Sequence, residues 1–428
     1  MKNSRPIALA VAVSAALALA ACGKKEEPAK TSAAPAQPAA SGAVTVTIAH
    51  AGPLTGSIAH LGKDDENGVH LAIDQANAKH LTIGGKPVQF VMDSEDDQAD
   101  PKTGTTVAQK LVDAKVAAVI GHLNSGVSIP ASEIYAKAGI PMISGSATNP
   151  TLTERGLKTV FRTVGRDDQQ GPAIASYIAH ELKAKKVALV DDKTAYGEGL
   201  ANEVEKTLKA AGINIVAREK TTDKATDFKA ILTKMKGRNP DAVFYGGMDA
   251  TGGPMLKQAR ELGIKAVFSC GDGACTDTMN KLAGDKNAEG FICSQAGLPV
   301  VAASKSFLDA YKAKYNVDPI IYAPFTFDAA NLLIAAMQKA DSPDPAKYLP
   351  DLQKISYDGA TGHIEFDDKG DRKNAEITIF TMKGGKLDPV AVVKGGKSIA
   401  FADFMKAADA GTPPAGGGEA KKTEEAKK

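Results

Sequence analysis

The stretch Val116–Thr148 of this 428-residue chain reads VAAVIGHLNSGVSIPASEIYAKAGIPMISGSAT. Its pattern predicts a buried strand, a helix and a second buried strand, over Val116–Ile120, Val127–Lys137 and Ile140–Ser144. Each strand ends in small and hydroxyl residues, at Asn124-Ser125-Gly126 and at Ser144–Thr148. Ligands of open α/β sheets bind at the carboxyl ends of the strands. The two turns are therefore predicted to form the floor of a small-molecule site.

The same alternation of strands and helices continues on both sides of this stretch. One series runs from Val44 to Thr163 and a second from Asp168 to Ser269, after which a further strand is predicted over Gly290–Cys293. Such alternation implies parallel, doubly wound sheets, so two similar lobes are expected. Two later helices, over Ser304–Tyr315 and Tyr322–Lys339, follow the complete second series. They suggest that the chain crosses back to the first lobe before its last strands.

Charge and composition are those of an ordinary soluble globular protein. The net charge is +2, from 52 basic and 50 acidic residues, and 43% of the residues are hydrophobic. Nucleic-acid binding needs a clustered basic excess, so this balance argues against it.

The amino-terminal segment predicts export. Lys2 and Arg5 precede an apolar run, Ile7–Ala21, that is too short to span a bilayer and fits a secretory signal. It ends in Leu19-Ala20-Ala21-Cys22-Gly23, which resembles the lipobox of bacterial lipoproteins. We therefore expect Cys22 to be lipidated, the alternative being an ordinary signal peptide with a chance cysteine. Residues 24–42 and 411–428 have the composition of disordered segments.

Three further cysteines, Cys270, Cys275 and Cys293, lie in the exported part of the chain, where a disulfide is permissible. Cys275 and Cys293 enclose one predicted helix and the start of a strand, which favours that pair. Cys270–Cys275 is the weaker alternative. A metal site is less favoured because no histidine lies nearby.

Motifs of catalysis are missing, so no enzyme activity, cofactor or metal is expected. The sequence has no nucleophile elbow, no HExxH and no complete phosphate loop. The histidines do not pair at helical spacing and are predicted to lie on the surface or in loops. The acidic runs Asp64-Asp65-Glu66 and Ser94-Glu95-Asp96-Asp97 are predicted to be solvated loop charge.

Binding chemistry is better represented. Ser125 and Thr148 can each offer a hydroxyl and a backbone N–H to a ligand carboxylate. Tyr196 lies at a strand exit in the second series, and Asp272 lies at another, between two glycines. From the spacing alone, Asp272 is equally well a ligand for an ammonium group or a turn residue that bonds its own backbone.

These positions carry a family resemblance. The segments that carry it are Ile120–Leu123, Ile143–Thr148, Leu152–Gly156, Asp168–Pro172, Tyr196–Gly199 and Tyr245–Gly247. In this order and spacing, from about Val44 to Leu387, they resemble the leucine/isoleucine/valine-binding proteins of bacterial ABC transporters. The resemblance implies a type I periplasmic binding fold, in which two doubly wound parallel-sheet lobes are joined by three crossovers.

The resemblance also implies roles for individual residues. It places the ligand carboxylate on Ser125 and Thr148, and the ammonium on the Ser146 carbonyl and Asp272, with Ala147 in the same loop. Tyr196 matches a tyrosine that closes over the ligand, which favours the ligand role of Asp272. Two positions of the side-chain pocket depart from the family, because Leu61 and Met248 stand where aromatic residues are expected.

The expected protein is a monomeric, lipid-anchored periplasmic binding protein that captures a neutral, branched-chain amino acid and delivers it to a membrane permease. The alternatives are the same fold with an amide, urea or aromatic acid as cargo, and a non-transport sensor or envelope lipoprotein. The expected segments are a lipoprotein signal peptide (1–22), a tether (23–42), lobe 1 (43–165), lobe 2 (166–295), a return to lobe 1 (296–370), strands completing lobe 2 (371–395) and a terminal segment with a disordered tail (396–428).

Overall fold

The computed structural model describes residues 42–409. The signal peptide, Cys22, nearly all of the tether and the tail from Gly411 onward lie outside these residues. Within residues 42–409, no helix combines the length and the apolar character that crossing a membrane requires.

The first lobe is built on a six-stranded sheet in the order β2-β3-β1-β4-β5-β6. Only the short β2 is antiparallel to its neighbour. Its strands are β1 (Val44–Gly52), β2 (Thr82–Ile83), β3 (Lys86–Asp96), β4 (Ala118–Gly121), β5 (Met142–Ser144) and β6 (Val160–Arg162). Its helices are α1 (Ala59–Ala78), α2 (Pro101–Asp113), α3 (Ser125–Lys137) and α4 (Thr151–Glu154). Every residue of β4 and β5 is buried, as expected for parallel strands covered on both faces.

The second lobe begins as a second parallel series. Its strands are β7 (Lys186–Asp191), β8 (Asn214–Lys220), β9 (Ala242–Gly246), β10 (Val267–Cys270) and β11 (Ile292–Gln295). Its helices are α5 (Asp167–Ser176), which continues as a π-helical turn (Tyr177–Glu181), α6 (Ala195–Ala210), α7 (Lys229–Lys236), α8 (Asp249–Glu261), α9 (Asp277–Ala283) and α10 (Asp285–Ala288). Short 3₁₀ turns lie at Asp272–Ala274 and Val300–Ala302.

The chain then returns to the first lobe and leaves it again. Helix α12 packs along α1, and a small hairpin follows. These elements are α11 (Lys305–Tyr315), α12 (Ala323–Lys339), α13 (Pro345–Gln353), β12 (Ser356–Gly359) and β13 (Gly362–Glu365). The last elements are β14 (Ile377–Lys383), β15 (Lys386–Lys394), β16 (Lys397–Ala400) and α14 (Phe401–Asp409). The three strands extend the second sheet, whose order is β16-β15-β14-β11-β10-β9-β7-β8. The chain thus passes between the lobes three times.

The structure contains features that the sequence pattern did not predict. Helix α13, strand β16 and helix α14 were not expected, and β14–β16 pair antiparallel in an otherwise parallel sheet. Helix α8 begins at Asp249, whereas the sequence pattern places its start at Gly253. The predicted start is too late because the two glycines in the first turns weaken the helical pattern. A Cβ at Gly253 would lie 2.4 Å from the Cβ of Leu282, so the close packing of α8 on α9 requires a glycine there.

Cys275 and Cys293 form a disulfide, and Cys270 is a free, buried thiol. Cys270 and Cys293 lie opposite each other on the paired strands β10 and β11. All three cysteines belong to one apolar cluster, most of whose residues lie in the second lobe.

Candidate functional site

Two turns at the carboxyl edge of the first sheet lie side by side. Ser125 opens α3 directly after β4, and its hydroxyl oxygen accepts a hydrogen bond from the backbone N–H of Asn149 at 3.2 Å. Ser146, Ala147 and Thr148 follow β5, and they are buried together with Ser125. Within the described chain, the Thr148 hydroxyl has no hydrogen-bond partner. Since the first backbone N–H groups of a helix lack partners inside it, the start of α3 and this hydroxyl can bind a carboxylate.

Asp272 and Tyr196 meet in the second lobe. Tyr196 lies in the first turn of α6, and Asp272 lies in the 3₁₀ turn after β10. Oδ1 of Asp272 accepts hydrogen bonds from the Tyr196 hydroxyl at 2.8 Å and from Nε2 of Gln170 at 2.9 Å. Burial raises the pKa of the Asp272 carboxyl, and the hydrogen bonds that it accepts act in the opposite direction. A buried acceptor held in this way can bind an ammonium group.

Tyr322 is a site residue that the sequence analysis missed. It caps α12, on the segment that has returned to the first lobe, and its hydroxyl donates to Oδ2 of Asp272 at 2.8 Å. Pro324, in the first turn of α12, marks the start of the helix, but only the fold brings position 322 to Asp272. The carboxylate is therefore bonded from both lobes.

Asp167 is the second residue that was missed. It is fully buried at the start of α5, and neither carboxylate oxygen accepts a hydrogen bond from the rest of residues 42–409. Its backbone N–H donates to the carbonyl of Thr148 at 2.9 Å. Burial, and secondly the charge of Asp272, raise the pKa of the Asp167 carboxyl well above its usual value, and the nearby Thr148 hydroxyl acts in the opposite direction. A buried carboxyl with no hydrogen bond of good geometry indicates a place for a hydrogen-bond donor.

The prediction of solvated charge at Asp64-Asp65-Glu66 is wrong, because all three are buried. The Asp64 carboxylate accepts four backbone N–H groups ahead of and at the start of α12, at 2.8–3.0 Å. Oδ2 of Asp65 accepts from the Ser146 hydroxyl at 3.0 Å, and burial raises the pKa of Asp65 well above its usual value. Helix α1 thus uses its acids to fix the segments around the site.

The same prediction is wrong for Asp97, which is fully buried. The prediction that the histidines lie on the surface or in loops is wrong for His50, which lies in β1; His122 does lie in a loop, after β4, but both rings are fully buried. His122 lies between Oδ2 of Asp97 at 2.7 Å and the hydroxyl of Tyr135 at 3.0 Å. Burial lowers the pKa of His50 to about 4, so its neutral ring donates from Nδ1 to the carbonyl of Ile120. Residues 42–409 contain no group of three or more His, Cys, Asp or Glu placed to hold a metal.

Leu61 and Met248 share one apolar cluster that draws on both lobes. Leu61 is fully buried on α1, and Met248 packs against the Asp272 turn, where a Cβ at Gly273 would lie 2.6 Å from its sulfur. The cluster also contains Leu123 and Tyr322. The two positions at which the sequence departs from the family therefore belong to the same apolar cluster.

Polar contacts join the lobes around these residues. Nε2 of His60, on α1, lies 2.7 Å from Oδ2 of Asp249, at the start of α8. The Asn149 amide donates to the carbonyl of Ala195 at 2.7 Å. Together with the bond between Tyr322 and Asp272, they place the candidate site in a closed cleft.

Comparisons with known proteins agree with this architecture. The family model described as periplasmic binding protein matches residues 45–386. The leucine-, isoleucine-, valine-, threonine- and alanine-binding protein of Pseudomonas aeruginosa is 37% identical over 290 residues, which are 67% of this chain and 76% of that protein. The Leu/Ile/Val-binding protein of Escherichia coli K12 is 38% identical over 299 residues, 70% and 80% of the two chains.

A solved structure of similar fold is the branched-chain amino acid transporter substrate-binding protein of Streptococcus pneumoniae, in complex with isoleucine. It is 32% identical, the match covers 82% of this chain and all of that one, and the TM-score is 0.75. The predicted family resemblance and the predicted type I fold are thereby confirmed, and the relatives are binding proteins, not enzymes. The chain belongs to the periplasmic binding protein family.

Proposed function

We propose that this chain is an exported solute-binding lipoprotein that captures a neutral, branched-chain amino acid between its lobes and delivers it to an ABC transporter permease. The observation that carries the proposal is the buried Asp272 carboxylate, which hydroxyl groups from both lobes hold in the cleft. The names of the relatives, which bind leucine, isoleucine and valine, support the choice of cargo.

In this proposal the polar ends of the amino acid are held separately. Ser125 and Thr148 bind the α-carboxylate, and the backbone around Ala147 lines the same pocket. The Ser146 carbonyl and Asp272 bind the α-ammonium. We add Asp167 to the ammonium site, because its carboxylate oxygens have no partner elsewhere in residues 42–409 and it adjoins Thr148. Charge-assisted hydrogen bonds of this kind are the strong ones.

The ligand side chain is proposed to lie against Leu61 and Met248. Both belong to the apolar cluster that draws residues from both lobes, so an aliphatic side chain gains by leaving water there. Tyr196 covers the ligand from the second lobe. Ligand binding on the first lobe, followed by closure, adds Asp272 and Tyr196, and the closed state must bind the ligand better than the open one does.

Export and anchoring are also part of the proposal. Cys22 carries the lipid, the segment from residue 23 to residue 42 is the tether, and the monomer is periplasmic. The proposed lobes are residues 43–165 with the return segment 296–370, and residues 166–295 with the strands 371–395. A Cys22→Ser variant is expected to leave the membrane fraction in cells, while its purified domain binds the same ligand.

The test of cargo is a thermal-shift screen of ligand-stripped protein against the twenty amino acids. A ligand that binds only the native state stabilises it by about 2.7 kcal/mol at one hundred times its Kd. Leucine, isoleucine or valine is expected to raise the melting temperature, and 4-methylpentanoate and isopentylamine, which each lack one polar end, are expected to fail at the same concentration. A shift only with amides, urea or aromatic acids would overturn the cargo. No shift with any solute would favour a non-transport lipoprotein.

A further inference from the structure

The turn that carries Asp272 is attached to the adjacent strand β11 by a covalent bond. Asp272 begins a 3₁₀ turn whose last N–H, that of Cys275, donates to the Asp272 carbonyl at 2.9 Å. Cys275 is bonded through its sulfur to Cys293, in the middle of β11, with the two Cα atoms 5.3 Å apart. At its other end the turn continues directly from β10, which pairs with β11. Both ends of the turn are therefore tied to the sheet.

A second connection between β11 and Asp272 passes through Gln170. The hydroxyl of Ser294, the residue after Cys293, donates to Oε1 of Gln170 at 3.0 Å. The same oxygen accepts the backbone N–H of Asp272 at 3.0 Å, and Nε2 of Gln170 donates to the Asp272 carboxylate at 2.9 Å. Neighbouring residues of one strand thus hold the turn by a covalent bond and by a buried hydrogen-bond chain.

The turn has no room to shift without changing the site. A Cβ at Gly271 would lie 2.6 Å from the Tyr196 hydroxyl and 2.8 Å from Oε1 of Gln170. The N–H of Gly273 donates to the Tyr196 hydroxyl oxygen at 2.9 Å. A small displacement of the turn therefore moves the carboxylate relative to all three of its donors, Gln170, Tyr196 and Tyr322.

We propose that the Cys275–Cys293 disulfide is a positioning element of the binding site, which fixes the Asp272 carboxylate for the ligand ammonium. The inference rests on the proposed function, because it assumes that Asp272 binds an ammonium group. It goes further in giving the disulfide a role in affinity for one part of the ligand. Preorganised groups bind more tightly because less order is lost on binding.

The test compares ligand affinity in the wild type and in a Cys275→Ala/Cys293→Ala variant by titration calorimetry with leucine. The matched control is Cys270→Ala, which removes the neighbouring buried sulfur and keeps the disulfide. The paired variant is expected to bind leucine roughly tenfold more weakly, in the range of couplings within one network, and the control is expected to bind as the wild type does. If the Cys275→Ala/Cys293→Ala variant does not fold, a Cys275→Val/Cys293→Ala variant, which restores apolar volume, is used in its place.

A double-mutant cycle with Asp272→Asn separates positioning from general stability. If the disulfide acts through Asp272, its removal costs no further affinity in the Asp272→Asn background, whatever the loss in melting temperature. Equal losses in both backgrounds, or no loss in either, would overturn the inference. A wild type that binds no amino acid would instead overturn the proposed function, so the two failures are distinguishable.

Discussion

At the scale of single residues, we expect the carboxylate of Asp272 to be the most sensitive position for ligand binding. Asp272→Asn keeps the volume and the acceptor for Tyr196 but removes the charge that faces the ligand ammonium. A hydrogen bond to a charged group contributes about 1.5–3 kcal/mol, so leucine should bind roughly 10- to 150-fold more weakly. The measurement is calorimetric Kd, with Asp309→Asn, an exposed partner of Lys305, as the control. An unchanged Kd would refute the role of Asp272.

In the ligand-free protein, the buried Asp167 carboxyl is expected to lower stability at neutral pH. Its folded-state pKa is raised, so the folded state binds more protons than the unfolded state, and stability falls as pH rises from the usual aspartate pKa toward the raised one. Asp167→Asn should therefore stabilise the ligand-free protein at neutral pH, by about 1–3 kcal/mol, and this gain should vanish below about pH 4.

Melting temperatures of both proteins from pH 3 to pH 8 test this prediction. The same variant is expected to bind leucine more weakly, because it loses the proposed second acceptor for the ammonium. A destabilised variant at neutral pH would show that Asp167 has a partner in the folded protein and is not held ready for a ligand.

The residues that the sequence identified and those that it missed differ in how they reach the site. Ser125, Thr148, Tyr196 and Asp272 each follow a strand, and a strand end can be recognised in a linear pattern. Tyr322 approaches from a helix start after the chain has changed lobes, which no local pattern encodes. The roles of all these residues in binding remain predictions.

At the scale of elements, buried acids on α1 explain how the returning segment is held. Asp64 accepts the N–H groups of Ile320, Ile321, Tyr322 and Ala323, and so acts as a cap that is supplied by another helix. The run Asp64-Asp65-Glu66 looks like surface charge because the partners of Asp64 on the returning segment lie more than 250 residues away along the chain, and Ser146, the partner of Asp65, lies 81 residues away. Most strands and helices follow from periodicity, whereas such caps depend on tertiary contacts.

Removing this cap should cost more than an ordinary surface change. Asp64→Ala leaves four N–H groups without their acceptor, and we expect a loss of at least about 2 kcal/mol, the upper end for a helix cap. Asp74→Ala on the exposed side of the same helix removes surface pairs with Lys314 and His70 and should cost at most about 1 kcal/mol. Urea unfolding of ligand-free protein compares the two. Equal losses would contradict the capping role.

At the scale of the whole molecule, three passages of the chain between the lobes make closure the natural motion of this fold. Two lobes that each have their own sheet can move about the connecting segments, while the site lies where they meet. The sequence indicated two series and a return, but not how the lobes contact each other. Contacts such as that between His60 and Asp249 depend on the relative position of the lobes, which a linear pattern does not record.

The contact between His60 and Asp249 should affect ligand affinity without touching the proposed ammonium site. If the ligand-free protein is mostly open, apparent affinity scales with the fraction that can close, so a contact present only in the closed state strengthens binding. His60→Ala should weaken leucine binding about fivefold, for a contact that contributes about 1 kcal/mol. His70→Ala is the matched control, because its partner Asp74 lies on the same helix. The loss should appear as faster ligand release in stopped-flow measurements. An unchanged release rate would show that the closed state does not depend on this contact.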